Sequence, residues 1–306
     1  MKSVERRAFQ DCPMCGSSSI EVVFVRECGE AHWSLARCQS CGLHFTDPRP
    51  SEEFLANLYS DDYHMELRAE GGTERAFEAK YRRYSDWLSS HQPLGRFLDI
   101  GCSTGLLVRM LRDLGYEAEG IEFNRQSAEW GRQHYGVKIH DKPMEQCGFE
   151  PESFDAVALT DVLEHTLHPR EFLRSVGDLL APGGLVLVTF PDIRSLESRY
   201  FFLMMRLTGR KWLWHNCRIP AHIWEFTKET ARACFEGAGF RIIDFRRSHQ
   251  AEEGEPWTKR LISLPAAPLR LPPVAARFGT QMEFILRKDD KVKTTQTEPA
   301  NSVTAK

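Results

Sequence analysis

The chain has 306 residues, of which 42% are hydrophobic and 27% charged, and its formal net charge is −3. This composition is typical of a folded globular protein and excludes a chain disordered throughout, and the balanced charge excludes a strongly basic nucleic-acid-binding surface as its main feature. No window holds the ~18 uninterrupted apolar residues of a membrane span, and no apolar signal-peptide core follows the first methionine, so we expect a cytoplasmic protein.

Four of the nine cysteines form two Cys-x-x-Cys-Gly pairs near the amino terminus, Cys12 with Cys15 and Cys38 with Cys41. Four thiolates at this spacing suit a tetrahedral Zn²⁺, and because four sulfurs fill its coordination sphere we predict a structural metal. The glycine after each pair permits the sharp turn that such a site needs. Apolar stretches between the pairs predict short strands, so we interpret residues 1–50 as a zinc-ribbon-like domain.

Connecting helices are predicted over residues 51–95, where aromatic and leucine side chains recur at helical spacing between 73 and 90. From residue 96 the pattern changes to short apolar runs separated by helical stretches. Strands are predicted at 97–100, 118–123, 137–140, 154–160, 185–190, 240–245 and 282–287. Strands that alternate with helices indicate βαβ units and a parallel sheet, here over residues 96–288. The polar residues 289–306 predict a disordered tail.

A small-residue turn, Gly101 to Gly105, joins the first of these strands to a helix, where backbone N–H groups are available to a ligand. Glu122 ends the next strand, 21 residues after Gly101, where a carboxylate can accept both hydroxyls of a ribose. Ser103 and Leu106 stand where a dinucleotide fingerprint has its second and third glycines, and the phosphate-binding G-x-x-x-x-G-K-[ST] pattern is missing too. The turn therefore indicates a nucleoside ligand without a pyrophosphate.

LDIGCSTG (98–105) and GIEFN (120–124) resemble motifs I and II of the class I S-adenosylmethionine-dependent methyltransferases. FDAVALTDVLEH (154–165) and LLAPGGLVLVTFP (179–191) resemble the region of that family's fourth and fifth strands. The cysteine-rich front end and HIWEFT (222–227) resemble a bacterial subgroup often associated with small molecules or glycans. The resemblance implies a Rossmann-like, seven-stranded, mostly parallel sheet with helices on both faces. It also implies methyl transfer (EC 2.1.1.-) to oxygen or carbon of a small molecule such as a sugar, glycan or secondary metabolite.

The same resemblance implies which residues bind the donor, S-adenosylmethionine. Those around the turn would hold its methionine part, Glu122 its ribose and Phe123 its adenine face, with further residues at neighbouring strand ends. The implied cofactor-binding residues are Asp99, Gly101, Cys102, Ser103, Gly105, Glu122, Phe123, Met144 and Thr160.

His165 is the first candidate for a general base, because it follows the fourth strand at the ligand-binding edge of an open α/β sheet and an ordinary imidazole titrates near neutrality. Asp161, Glu164 and His165 would share one face of a helix and could bind a divalent ion. This pattern is similar to the Glu-x-x-Glu-His metal sites of some O-methyltransferases, with aspartate in first place. A structural interpretation, acids at a helix start beside a satisfied histidine, stays open.

Residues 192–227 form an insertion after the fifth strand, rich in aromatic residues and methionine. It is interpreted as a lid or acceptor pocket, with His222 as a second acid–base or substrate-binding candidate. Weak association of 199–214 with a membrane interface and a small satellite core are the alternatives. For the whole chain, the alternative is a zinc-ribbon nucleic-acid- or partner-binding protein, including an RNA methyltransferase, although no stable nucleic-acid partner and no transmembrane segment are expected.

Overall fold

The computed structural model describes residues 9–28, 31–58, 72–92, 94–209, 218–249, 268 and 271–289. The predicted tail lies outside these residues except for Asp289, and so does the 210–217 part of the predicted insertion. Within the described residues, no helix combines the length and the apolar character needed to cross a membrane.

The amino-terminal region is a small antiparallel sheet. Strand β1 (Ile20–Cys28) pairs with β2 (Ala31–Cys38), and β2 pairs with β3 (His44–Asp47). Trp33 and Leu35 alternate along β2 and are completely buried on one face of this sheet. The strands predicted between the two cysteine pairs are therefore confirmed.

Two helices follow, α1 (Glu52–Leu58) and α2 (Gly72–His91), in the region predicted to connect the sheets. Tyr84, Trp87 and Leu88 on α2 are at most 2% exposed, which explains the helical spacing of its apolar residues. The α2 helix packs on the large sheet, where the indole N–H of Trp87 donates a hydrogen bond of 2.7 Å to Asp244.

The central sheet has seven strands in the spatial order β10-β11-β8-β7-β4-β5-β6. The six strands from β4 to β10 that belong to this sheet run in one direction, and β11 is antiparallel to both of its neighbours. The strands are β4 (Arg96–Ile100), β5 (Glu117–Ile121), β6 (Ile139–His140), β7 (Phe154–Thr160), β8 (Leu180–Pro191), β10 (Phe240–Ser248) and β11 (Gln281–Lys288).

Apolar side chains at alternate positions of the strands pack into two separate cores. On β7, Val157 and Leu159 enter one core, while Ala156 and Ala158 enter the other. Both faces are thus buried, as in the predicted Rossmann-like α/β fold with helices on both sides, which is confirmed. The remaining helices are α3 (Leu106–Asp113), α4 (Arg125–Tyr135), α5 (Pro169–Leu179), α6 (Leu196–Thr208), α7 (Lys228–Gly237) and α8 (Pro272–Phe278).

The predicted insertion begins with α6, whose Leu203 and Leu207 are 53% and 72% exposed, and ends with β9 (Trp224–Glu225). Strand β9 does not join the central sheet. It pairs with β3 and becomes the fourth strand of the amino-terminal sheet, in the order β1-β2-β3-β9.

The connections change direction at β4, because β5 and β6 lie on one side of it and β7 and β8 on the other. The carboxyl ends of β4, β5 and β7 meet at one edge of the sheet because these strands are parallel. Open α/β sheets bind ligands at such a switch point. This edge therefore contains the candidate site.

Candidate active site

The turn after β4 is shaped by two glycines in the left-handed region, Gly101 (φ 77°) and Gly105 (φ 75°). A side-chain carbon of Val162 lies 2.6 Å from the point where a Cβ at Gly101 would stand, so a larger residue would displace the segment that follows β7. Cys102 is 4% exposed and its sulfur packs against Gly120. Only the backbone of Cys102 can therefore face a ligand in the turn.

Glu122, at the end of β5, holds this turn in place. One carboxylate oxygen accepts the backbone N–H of Ser103 at 2.8 Å, and the other accepts that of Asn124 at 2.8 Å. Ser103 has a φ of 50°, unusual for a residue with a side chain, and its hydrogen bond to Glu122 stabilises that conformation. The acidic residue predicted to bind a ribose thus lies directly against the predicted cofactor turn.

The carboxyl group of Asp99, on β4, is buried, and its charged form is unfavourable there. Burial, and then the negative charge of Glu122, raise its pKa to about 8, although Lys80 acts in the opposite direction. Its Oδ1 atom has no hydrogen-bond partner among the residues that the structure describes. A positively charged ligand would satisfy this atom, and the donor carries two cationic groups, an ammonium and a sulfonium. The residues around the turn therefore fit S-adenosylmethionine.

The other predicted cofactor residues surround the same edge. The side chain of Phe123 is 60% exposed just beyond β5, whereas Met144 is 8% exposed in the turn after β6. Thr160 ends β7 and is 7% exposed. The ligand contacts predicted for these three residues stay predictions.

Helix α2 supplies side chains that the sequence motifs did not indicate. The Lys80 ammonium is 2.7 Å from Oδ2 of Asp161 and only 11% exposed. Burial, and then Asp99, raise the pKa of Tyr81. Sequence spacing gives no signal for these contacts, since Lys80 and Asp161 are 81 positions apart.

Asp161 does not share a helical face with Glu164 and His165, so that expectation is wrong. The chain leaves β7 through Asp161 in the left-handed region (φ 57°), and a 3-10 turn begins only at Leu163. The Asp161 carboxylate is turned toward α2 and β11, where Lys80 and the side-chain amide of Gln281 donate hydrogen bonds to it.

His222 takes the place that Asp161 was expected to fill. Ligand atoms of Glu164, His165 and His222 all lie within 4.8 Å of one another, and the two imidazole centroids are 4.7 Å apart. The Nδ1–H of His165 donates to the carbonyl of Ala221 at 2.8 Å. The Nδ1–H of His222 donates to Glu225 at 3.1 Å. In the neutral form of each ring, the lone pair is therefore on Nε2.

The electrostatics of this cluster differ from the sequence expectation. Burial, and then the electrostatic effect of the neighbouring His222, lower the pKa of His165 to about 3, so it does not titrate near neutrality as predicted. Burial, and then Asp161, raise the pKa of Glu164 well above its usual range. Neither Glu164 carboxyl oxygen has a hydrogen-bond partner among the described residues. One carboxylate and two imidazoles are donors that suit a divalent ion such as Zn²⁺.

The four predicted zinc ligands come together at one end of the amino-terminal sheet. The sulfurs of Cys12 and Cys41 are 3.6 Å apart, as are those of Cys15 and Cys38, and all four ligand atoms lie within 4.8 Å of one another. Burial opposes ionisation of Cys38, but backbone hydrogen bonds from the Cys41 region lower its pKa to about 6. Four soft sulfurs in this arrangement fit a structural Zn²⁺.

A family model described as a methyltransferase domain matches residues 68–244, more than half of the chain. The chain belongs to the class I S-adenosylmethionine-dependent methyltransferases. The matched range contains the turn after β4, Glu122 and the Glu164–His165–His222 cluster, so the whole candidate site of this methyltransferase lies within it. The four clustered cysteines and strands β1 to β3 of the amino-terminal sheet precede the matched range.

Curated relatives of this methyltransferase are named ubiquinone biosynthesis O-methyltransferase. The Caulobacter sp. protein is 37% identical over 30% of this chain and 39% of its own length. The Aeromonas salmonicida protein is 31% identical over 51% of this chain and 67% of its own length. The Ruegeria pomeroyi protein is 38% identical over 47% of this chain and 62% of its own length. The matches thus span about two fifths to two thirds of these relatives.

Two solved structures share the fold. One is a SAM-dependent methyltransferase from Archaeoglobus fulgidus, with a TM-score of 0.50 and 18% identity over 74% of this chain and 98% of that chain. The other is 1,6-didemethyltoxoflavin-N1-methyltransferase from Burkholderia thailandensis, with a TM-score of 0.54 and 15% identity over 88% of this chain and 100% of that chain. The second structure contains S-adenosylhomocysteine.

Proposed function

We propose that this chain transfers a methyl group from S-adenosylmethionine to a hydroxyl group of a small-molecule acceptor. The observation that carries the proposal is the Glu164–His165–His222 cluster, which follows the segment packed against the cofactor turn through Val162 and Gly101. A methyl donor in the turn and a hydroxyl at the cluster would then face each other at the same sheet edge. The curated relatives are named as O-methyltransferases, which supports oxygen as the accepting atom.

On the donor side, the ammonium of S-adenosylmethionine lies at Asp99 in this proposal, its ribose hydroxyls at Glu122 and its adenine against Phe123. The acceptor oxygen attacks the methyl carbon. The methyl–sulfur bond breaks with its electron pair left on sulfur, which gives S-adenosylhomocysteine. Holding the two reactants in line supplies most of the rate enhancement, because the sulfonium is already a good leaving group.

On the acceptor side, the hydroxyl proton moves to Nε2 of His222. The buried Glu225 carboxylate at the opposite ring nitrogen fixes the tautomer and stabilises the imidazolium that forms, as the carboxylate does in a serine–histidine–aspartate triad. His165, with its pKa lowered to about 3 by burial and His222, stays neutral and accepts a hydrogen bond that orients the acceptor.

A divalent ion is the second option for the same cluster. Glu164, His165 and His222 would hold it, and the two unpartnered oxygens of Glu164 fit this role. The ion would lower the pKa of an acceptor hydroxyl. In both options His222 contacts the reacting group or its ion, so the substitution His222→Gln removes a group that the reaction needs.

Isothermal titration with S-adenosylmethionine tests the donor site, and incubation of the methyl-labelled donor with cell extract tests the acceptor class. We expect the wild type to bind the donor and Glu122→Ala to bind it at least tenfold more weakly, because two ribose hydrogen bonds are lost. Label should appear in a small hydroxylated compound and not when His222→Gln is used. Label found in RNA, or on carbon or nitrogen, would contradict the proposed acceptor.

A further inference from the structure

The amino-terminal sheet (β1-β2-β3-β9), called the cysteine sheet because the four cysteines lie at one end of it, includes the backbone that directly follows His222. Strand β9 starts two residues after His222 and pairs with β3, with His44 opposite Glu225 and Phe45 opposite Trp224. The partner of the His222 ring, Glu225, therefore belongs to a strand of the amino-terminal sheet. The residues of β3 that contact this segment lie more than 170 positions away from it in sequence.

Thr46, on β3, makes the closest connection. It is completely buried, its backbone N–H donates to the carbonyl of Ile223 at 2.8 Å, and its hydroxyl donates to the carbonyl of His222 at 2.5 Å. From the other side, the N–H of Ile223 donates to the carbonyl of Glu164 at 2.9 Å. The His222–Ile223 backbone is thus held between β3 and the turn after β7.

The position of Thr46 follows in turn from the cysteine cluster. Cys38 ends β2 and Cys41 stands three residues before β3 begins at His44. The backbone N–H of Cys38 donates to the carbonyl of Leu43 at 2.9 Å, which closes the loop that contains both cysteines. Cys38, Leu43 and Phe45 share one apolar cluster with Trp224.

We infer that Thr46 is a positioning residue for methyl transfer, through which the cysteine sheet aligns His222 with Glu164 and His165. The inference rests on the role proposed for His222. Asp99, by contrast, lies on β4 and Glu122 directly follows β5, at the carboxyl edge of the central sheet. A change at Thr46 should therefore reduce turnover of the acceptor while donor affinity stays the same.

The test compares full-length Thr46→Val with Thr46→Ser. Valine has nearly the same shape but no hydroxyl, so the carbonyl of His222 loses a buried donor, whereas serine retains the hydroxyl. We expect Thr46→Val to lower kcat about tenfold with the donor Kd within twofold of wild type, and Thr46→Ser to restore at least half of the wild-type kcat. Thermal unfolding and zinc content of each variant are measured alongside.

Phe24→Leu is the matched control, because Phe24 is buried in the same small sheet but in a different apolar cluster, with Trp33 and Phe201. It should lower the unfolding temperature and leave kcat within twofold.

The inference is overturned if a folded Thr46→Val protein has wild-type kcat, if Thr46→Ser is as impaired as valine, or if the donor Kd weakens in parallel with kcat. It is also overturned if Phe24→Leu lowers kcat as much as Thr46→Val does. Failure of the proposed function looks different, since the wild type would then bind no donor or His222→Gln would keep full activity.

Discussion

At the scale of single residues, the charges of the site follow from burial more than from residue type. Asp99 and Glu164 both have raised pKa values, chiefly because burial disfavours their charged forms, although one was predicted as a donor-binding carboxylate and the other as a metal ligand. Asp161 is also a carboxylate of this edge, but the Lys80 ammonium keeps its pKa low against the effect of burial. A sequence shows which acids are present but not which of them acquires a partner.

Asp99 makes donor binding depend on pH. With its pKa at about 8, Asp99 is mostly protonated at pH 6.5 in the free protein, while the cationic donor favours the carboxylate. Binding must therefore release a proton, and the donor Kd should fall by up to about tenfold for each pH unit from 6 toward 8, then level off. Titration calorimetry in buffers of different ionisation enthalpy counts the protons released.

Asp99→Asn is the control for this linkage. The amide has the same shape and cannot lose a proton, so its binding should be weaker and the proton release due to Asp99 should disappear. The remaining proton exchange should come only from the donor's own amino group, whose ordinary pKa is near 8 and which takes up protons when it binds as an ammonium. Equal proton release from wild type and Asp99→Asn would show that another group is responsible.

At the scale of elements, short apolar runs predicted the strands well because both faces of the central sheet are buried. Strand β7 spans residues 154–160 as predicted, whereas β8 starts five residues earlier than predicted because Leu180 already pairs with Phe154, before an irregularity that contains the Pro-Gly-Gly segment. The turn at Leu163–His165 was missed because acids and histidine at i, i+3 and i+4 suit an α-helix equally well. Strand β9, two residues long, exists only through its distant partner β3, so local pattern could not predict it.

The Lys80–Asp161 ion pair joins helix α2 to the ligand-binding edge of the central sheet. Removal of this ion pair should lower the stability of the protein. Lys80→Met leaves the half-buried Asp161 carboxylate with the side chain of Gln281 as its hydrogen-bond donor among the described side chains. The free energy of unfolding should fall by about 2 kcal/mol, less than for a fully buried pair. The pKa of Asp161 should rise, since the ammonium that lowers it is gone. Urea denaturation at pH 7 measures the loss.

The double variant Lys80→Met with Asp161→Asn distinguishes the effect of losing the ion pair from the effect of changed side-chain packing. A neutral amide beside methionine leaves no unpaired charge, so the double variant should recover most of the stability lost by Lys80→Met alone. Losses that simply add would mean that the two side chains do not stabilise each other.

At the scale of the whole molecule, the cysteine sheet and the central sheet share one apolar core. The apolar cluster that contains Cys12, Cys38 and Phe45 also contains Trp224 and, farther inside, Phe190. Aromatic contacts continue across the junction, with the rings of Phe9 and Phe45 5.1 Å apart and those of Phe9 and Trp224 6.3 Å apart. The sequence interpretation of residues 1–50 as a separate domain stays a prediction, and the shared core gives a physical reason to expect that the two parts unfold together.

Loss of one of the four clustered cysteines, the predicted zinc ligands, should therefore destabilise the entire protein. Cys38→Ser removes a buried sulfur that belongs both to the metal cluster and to the shared core, so we expect one calorimetric transition whose midpoint falls by roughly 5 °C or more. Cys147 is a partly buried cysteine that does not belong to the four-cysteine cluster, so Cys147→Ser should move the midpoint by less than about 2 °C. Two separate transitions, of which only the first responds to Cys38→Ser, would mean that the amino-terminal sheet unfolds independently, and would argue against coupling between the four cysteines and His222.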